Sequence, residues 1–149
     1  MNKKFLSTRS TTIPLSGIEV IFDMAAKMND VIRLEAGDPD FNTPRHIAEA
    51  AEKATSEGHT HYTSSYGILE LRRVLAEKVK RENNIDADPN SEIVTTTGAT
   101  GAAYLGMLST LNPGDEVLIP DPSWPLYGAH VRLADGIEVS YSLMAEKGF

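Results

Sequence analysis

Apolar residues recur at intervals of three and four in three segments of the first half of the chain, a pattern typical of amphipathic helices. Ser16 followed by Glu19 forms a capping-box sequence at the start of the first segment. Thr43 can cap the second segment, Pro44 suits its first helical position, and Gly58 marks its end. The predicted helices cover residues 17–28, 44–57 and 68–83.

The second half alternates short strand-like runs with segments of helical periodicity, and turn residues separate them. A short strand is also predicted at 31–35, ahead of a loop rich in Gly, Asp and Pro. Because strands that alternate with helices form parallel sheets, the predicted fold class is α/β, with a parallel or mixed sheet and flanking helices. The alternating segments, strand first, cover residues 92–97, 101–111, 116–120, 124–134 and 137–142.

Composition and charge narrow the classes of function. The 149 residues include 14 Lys and Arg against 21 Asp and Glu, and the net charge of −7 argues against nucleic-acid and anionic-membrane partners. The lack of cysteine excludes disulfides and cysteine-ligated zinc, and the four His show no metal-ligand spacing beyond the pair His59 and His61. No apolar run could span a bilayer and no signal-peptide core follows Met1, so a cytoplasmic location is expected.

The turn that joins the predicted strand at 92–97 to its helix is the first candidate site. Gly98, Ala99, Thr100 and Gly101 lead from the strand directly into the helix. The open N–H groups of a first helical turn and the positive end of the helix dipole favour an anion such as phosphate. The same small residues also occur in such turns for geometric reasons alone, and the GxxG spacing matches neither a dinucleotide fingerprint nor a Walker loop.

The second candidate is Trp124, which follows the predicted strand at 116–120. Ligands of open parallel sheets gather at the carboxyl ends of the strands, and an indole there can lie flat against a planar ring. A lone tryptophan is also a common core residue. Taken together, the turn and the tryptophan suggest one ligand that carries a phosphate and a flat ring.

Four segments of the chain resemble the class I/II aminotransferases, enzymes of the aspartate aminotransferase fold (fold type I) that use pyridoxal 5′-phosphate. These segments are SGIEVIFDMA, LEAGDPDFNTPRHIAEA, HYTSSYGILELRRVLAEK and TTTGATGAAYLGMLSTLNPGDEVLIPDPSWPLYGAHVRLADG. The resemblance implies that Gly98, Ala99 and Thr100 hold the cofactor phosphate and that Trp124 stacks on the pyridine ring. It also implies a division into an arm, small-domain and active-site-loop segment at 1–45 and the first part of the large, cofactor-binding domain at 46–149.

Three further residues take roles only through the resemblance. Gly37 would lie beside the substrate α-carboxylate, and Ile18 would be one of the apolar residues that close over the pocket. Tyr62 would reach across a homodimer to the cofactor phosphate of the other subunit; without the resemblance, Tyr62 is interpreted as an ordinary half-buried aromatic. Arg72 and its charged neighbours are interpreted as a solvated helix face.

The catalytic lysine that the family binds to its cofactor as a Schiff base has no counterpart here, so no catalytic residue is assigned. The lysines occupy positions 3, 4, 27, 53, 78, 80 and 147, without the expected sequence context. The resemblance therefore implies an amino-terminal portion that is inactive alone. Family strands absent from this sequence would lie between 92–97 and the pair at 116–120 and 137–142, so we expect unpaired sheet edges and poor stability.

The first functional hypothesis is amino transfer from an amino acid to a 2-oxo acid, by a homodimeric pyridoxal-phosphate enzyme of which this chain is one part. A non-catalytic module that binds a phosphate ligand or a protein is the alternative from another class. A third hypothesis keeps the cofactor and changes the chemistry to that of a β-lyase or a cyclopropane-forming synthase, because these enzymes share the motifs.

Overall fold

The computed structural model describes residues 5–13 and 16–149, which form two compact units. The first unit combines the segment that ends at Gly37 with Thr97–Phe149, and the second unit is Asp38–Thr96. The predicted division at residue 45 concerns the domains of a complete enzyme and stays a prediction. The helices and strands of the described residues are α1 Thr8–Thr12, α2 Gly17–Ala25, α3 Arg45–Ser56, α4 Leu69–Asn83, α5 Gly98–Thr110, β1 Glu116–Asp121, α6 Leu126–Leu133, β2 Ile137–Ser142 and a 3-10 turn at Ala145–Lys147.

The first unit contains a β–α–β element, which confirms the predicted parallel pairing. Strands β1 and β2 pair in parallel along their whole length, and α6 connects them and packs on both. Helix α5 packs against α6. The apolar side chains buried among the described residues all belong to this element: Ile119 of β1, Val131 of α6 and Ala134 at the end of α6. The fold class is therefore α/β, with a small parallel sheet and flanking helices.

Two predicted strands, at 31–35 and 92–97, are wrong for this structure. Neither segment joins the ladder of β1 and β2, and the Thr95 N–H instead donates to the Tyr66 carbonyl at 3.0 Å. Ile32 and Leu34 are 89% and 86% exposed. A strand needs a partner to complete its hydrogen bonds, and the described residues provide none beside these two segments.

Helix α2 begins where the capping box predicts and ends earlier than predicted. The Ser16 hydroxyl accepts a hydrogen bond from the Ile18 N–H at 3.2 Å, which confirms Ser16 as the cap. The helix ends at Ala25 rather than at residue 28, and its last turn is followed by two tighter bonds, from Lys27 N–H to Met24 and from Met28 N–H to Ala25.

The ends of α3 show one wrong prediction and one confirmed prediction. Pro44 is the cap rather than the first helical residue, and no side chain bonds the first turn, so Thr43 does not cap it. At the other end Gly58 has a φ of +85°, as a terminating glycine requires. The N–H groups of Gly58 and His59 donate back to the last turn at 3.1 and 3.0 Å, which satisfies carbonyls that the helix leaves open.

Arg72 of α4 is buried, contrary to the predicted solvated face. Its side chain is 7% exposed, and its guanidinium donates to the carbonyls of Gly67 at 3.2 Å, of Pro89 and of Asn90 at 3.4 Å. Because one rigid cation bonds two separate turns, Arg72 fixes the loop before α4 to the turn after it.

The turn after α4 is closed by a carboxylate. Asp88 accepts bonds from the Asn90 N–H at 3.0 Å and the Ser91 hydroxyl at 2.7 Å. The Asn90 N–H, with smaller effects from the Ser91 and Asn90 side chains, holds the pKa of Asp88 below its usual value.

In residues 5–13 and 16–149, none of the helices has the length and apolar character needed to cross a bilayer.

Candidate functional site

The glycine-rich turn leads into helix α5, as predicted, although no strand precedes it in the described residues. The helix begins at Gly98, three residues earlier than expected, and Gly98 has a φ of +70°, which favours glycine. A Cβ added there would meet nothing within 4 Å. Ala99 and Thr100 of the first turn are exposed, and no acidic side chain lies in that turn. The turn can therefore present backbone N–H groups and a positive helix end to an anion from solvent.

Trp124 lies just beyond the carboxyl end of β1 and belongs to a group of four rings. We call Tyr104, Trp124, Tyr127 and His130 the aromatic cluster. The Trp124 ring centre is 5.2 Å from that of Tyr127 and 5.9 Å from that of His130, both edge-on at 80° and 77°. His130 in turn lies 5.6 Å from Tyr104. The half-buried Trp124 ring therefore has two aromatic neighbours, both on α6.

The aromatic cluster connects the two predicted parts of the site. Tyr104 belongs to α5 and lies four residues after Thr100, which places both on the same side of that helix. The ring contacts therefore run from the helix that begins at Gly98 to Trp124 at the edge of the sheet. The structure brings these two elements together within the first unit.

Sequence reasoning missed Tyr104 and His130 as members of this group. His130 has a readable signal, because it lies six residues after Trp124 and within an otherwise apolar stretch of a predicted helix. Tyr104 has none, because its contact with His130 exists only through the packing of α5 on α6. Periodicity predicts the face of a helix and leaves its neighbour unspecified.

Gly37 and Ile18 lie on exposed parts of the first unit. Ile18 is in the first turn of α2 and is 41% exposed. Gly37 follows a bend, and a Cβ added to it would meet nothing within 4 Å. Just before it, the Glu35 backbone N–H, then the Arg33 side chain, lower the pKa of Glu35, and Arg33 Nε lies 2.6 Å from the Glu35 carboxylate. Gly37 is therefore accessible, and an ion pair between Arg33 and Glu35 orders the segment just before it.

Tyr62 belongs to the second unit, on the loop between α3 and α4. Its side chain is fully exposed, so the half-buried state expected without the resemblance is wrong. Tyr62 borders an open groove of about 590 Å³, together with His59, Ile68 and Glu70. A tyrosine with this exposure offers its whole ring and its hydroxyl to a molecule outside the unit.

A family model described as "Aminotransferase class I and II" matches residues 29–149. The chain belongs to this family. Class I and II aminotransferases use pyridoxal phosphate, act on amino acids and 2-oxo acids, and are usually dimers. The match includes α5, β1 and Trp124, and so covers both parts of the candidate site.

Curated class I and II aminotransferases resemble nearly all of this chain. It is 45% identical to an aspartate aminotransferase of Pyrococcus abyssi and 42% identical to aromatic-amino-acid aminotransferase 2 of Thermococcus litoralis, each over 97% of its length. It spans 37% of the length of these two relatives. The chain corresponds to an amino-terminal portion of such enzymes.

Solved structures agree with this assignment. An aspartate aminotransferase from Thermus thermophilus with maleate has a TM-score of 0.87 and 37% identity, covering 96% of this chain and 38% of its own. An alanine aminotransferase from Pyrococcus furiosus has a TM-score of 0.84 and 36% identity, covering 95% of this chain and 37% of its own. The α/β fold of the chain is therefore that of the family.

The residues at the start of α5 fit the phosphate of the family's cofactor. A Cβ added at Gly98 would meet nothing within 4 Å, Ala99 and Thr100 are exposed, and no carboxylate in the first turn repels an anion. The sequence holds no lysine between Lys80 and Lys147, so none lies on α5, β1 or α6. In the part of the chain that the structure describes, no three His, Asp or Glu side chains converge as metal ligands.

Proposed function

We propose that this chain forms the cofactor-anchoring part of a pyridoxal-phosphate-dependent aminotransferase, which moves an amino group from an amino acid to a 2-oxo acid. The observation that carries the proposal is the joint position of two features. A helix begins at Gly98, where a Cβ would meet nothing within 4 Å, and Tyr104 of its next turn contacts His130, which contacts the tryptophan beyond the end of β1. A ligand with a phosphate and a planar ring matches both features.

In this proposal the backbone N–H groups of Ala99 and Thr100, with the Thr100 hydroxyl, hold the phosphate, and Gly98 provides the required turn. Trp124 lies against the pyridine ring and fixes its plane. The bound cofactor supplies an electron-withdrawing ring that makes the α-carbon of an amino acid reactive. The chain's own contribution is to bind and orient, because binding at two points limits how the ring can turn.

Gly37 and Ile18 act on the substrate side of the proposed site. Gly37 has no side chain to obstruct an approaching carboxylate, and its surroundings are open. Ile18 offers an exposed apolar side chain that can cover a pocket and exclude water. The relatives are named for aspartate, aromatic amino acids and alanine, so the proposal commits to amino transfer and leaves the amino acid open.

Tyr62 is proposed to serve the site of the partner subunit in a homodimer. Its full exposure supports this role, because a buried phenol could not reach a phosphate in another subunit. A phenol that donates to a phosphate makes a hydrogen bond to a charged group, which contributes about 1.5–3 kcal/mol.

Tyr62→Phe should therefore weaken the cofactor affinity of the assembled enzyme by about tenfold or more, since about 1.4 kcal/mol corresponds to a factor of ten. Tyr66→Phe removes the same hydroxyl group from a tyrosine four residues away and should leave the affinity unchanged. Cofactor dissociation, followed by absorbance during dialysis, measures both. Equal affinities for the two variants would contradict the role of Tyr62.

Complementation tests the function itself. The chain is co-expressed with a polypeptide that supplies the remaining part of the Pyrococcus abyssi aspartate aminotransferase, where the proposal places the family's Schiff-base lysine. We expect the two pieces to copurify and to convert an amino acid and a 2-oxo acid, whereas the chain alone is inactive. Copurification without amino transfer would contradict the proposal and favour a binding module.

A charge placed at the phosphate turn provides the matched control. Ala99→Glu puts a carboxylate in the first turn of α5, where it should repel the phosphate and abolish the complemented activity. Ser109→Glu adds the same charge near the other end of α5 and should retain most of the complemented activity. Equal effects of the two substitutions would count against a phosphate at Gly98.

A further inference from the structure

His130 is a buried side chain to which the proposed function assigns no role of its own. It lies on α6 and is 6% exposed. Its ring centre is 5.6 Å from Tyr104 and 5.9 Å from Trp124. Its Nδ1 atom is buried and has no hydrogen-bond partner among the described residues.

The contacts of His130 are those of a ring rather than those of a polar group. A buried nitrogen without a partner opposes folding, so Nδ1 does not explain why the side chain is held there. Two aromatic contacts on different elements do explain it. Tyr104 belongs to the helix that begins at the phosphate turn, and Trp124 belongs to the loop after β1.

We propose that His130 is a positioning residue that sets the plane of Trp124 relative to the start of α5. This inference rests on the proposed function, in which Trp124 lies against the cofactor ring. His130 touches neither the phosphate turn nor the ligand in this account. Its loss should therefore affect a ligand that has a ring and spare an ion that has only the phosphate.

The first arm of the test needs no ligand, because Trp124 is the only tryptophan of the chain. Near-ultraviolet circular dichroism and emission anisotropy then report on one ring. His130→Leu fills the position with an apolar side chain that has no ring, and should lose most of the Trp124 dichroism, with lower anisotropy. His130→Phe keeps the ring and should retain both signals. His46→Ala removes an exposed histidine from α3 and should change neither.

The second arm compares two probes, pyridoxine 5′-phosphate, which lacks the aldehyde that reacts with lysines, and inorganic phosphate. His130→Leu should weaken binding of pyridoxine 5′-phosphate by about tenfold and change inorganic phosphate by less than twofold. His130→Phe should bind both as the unchanged chain does. Far-ultraviolet dichroism checks the fold, and His130→Met replaces the leucine variant if that variant unfolds; it also lacks a ring and should lose the Trp124 signals.

The outcomes separate this inference from the proposed function. If the unchanged chain binds neither probe, the proposed phosphate site is overturned, and the Trp124 signals still decide whether His130 positions the ring. If the chain binds both probes and every His130 variant keeps the Trp124 dichroism and the same ratio of affinities, the positioning role is overturned. Equal weakening of both probes by His130→Leu would also overturn it, because a general structural defect predicts that result.

Discussion

In the first unit the side chains most shielded from water include the apolar Ile119, Val131 and Ala134, whereas in the second unit the buried side chain is that of Arg72. The first unit is thus stabilised by contacts between a parallel strand pair and its connecting helix. The second unit is stabilised by hydrogen bonds from the Arg72 guanidinium to two turns and by backbone hydrogen bonds at the ends of its helices. Apolar burial brings three elements of the first unit together, while in the second unit one buried cation connects two turns.

The difference predicts that the units unfold separately. Trp124 reports on the first unit alone, while helix dichroism reports on α3 and α4 as well. Because each unit buries few side chains, we expect a broad thermal transition in which the two signals change at different temperatures. One sharp transition shared by both probes would contradict this and would mean that the units form one cooperative core.

Arg72→Met should destabilise the second unit by about 3 kcal/mol, because backbone carbonyls in two turns lose a charged donor. Amide hydrogen exchange should show lost protection at residues 66–67 and 88–95. Emission from Trp124 should stay unchanged. Arg72→Lys keeps the charge and loses the planar group, so the stability of the second unit in this variant should lie between that of the unchanged chain and that of Arg72→Met. A change in Trp124 emission that accompanies the loss of protection would contradict the separate stabilisation of the two units.

Val131→Ala should destabilise the first unit by about 2 kcal/mol, through lost burial of two methyl groups and a small cavity. Val131 is fully buried, while Val74 of α4 is 60% exposed. Val74→Ala is therefore the control and should change stability by less than about 0.5 kcal/mol. The midpoint of urea unfolding, followed by Trp124 emission, measures the effect. Similar shifts for both variants would show that Val131 is not the core of its unit.

Two glycines of α5 should respond to alanine with opposite signs. Gly98 has a φ of +70°, so Gly98→Ala should cost about 1 kcal/mol through backbone strain alone. Gly106 lies in the helix interior with open space around it, so Gly106→Ala should stabilise the helix by about 0.5–1 kcal/mol. Urea unfolding followed by Trp124 emission measures both variants. A shift of the two midpoints in the same direction would contradict the turn geometry.

The sequence predicted those parts of the structure that depend on local pattern. The cap at Ser16, the stop at Gly58 and the strand at 137–142 were confirmed, because each depends on residues close in the chain. The strands at 31–35 and 92–97 were wrong because a ladder needs a partner that local pattern cannot supply.

The candidate site divides in the same way. The start of α5 at the Gly98 turn was predicted to within three residues, because helix starts follow local rules. The contact of His130 with Tyr104 was not predictable, because it depends on how α5 packs on α6. Arg72 was misread for a similar reason, since the turns that it bonds lie five and seventeen residues away.

A crystal structure of the chain with pyridoxal 5′-phosphate tests the central claim most directly. We expect phosphate oxygens about 2.9 Å from the backbone nitrogens of Ala99 and Thr100. We also expect the pyridine ring to lie parallel to the Trp124 indole, at about 3.5–4 Å. A phosphate bound at any other place, or a ring without contact to Trp124, would contradict the account.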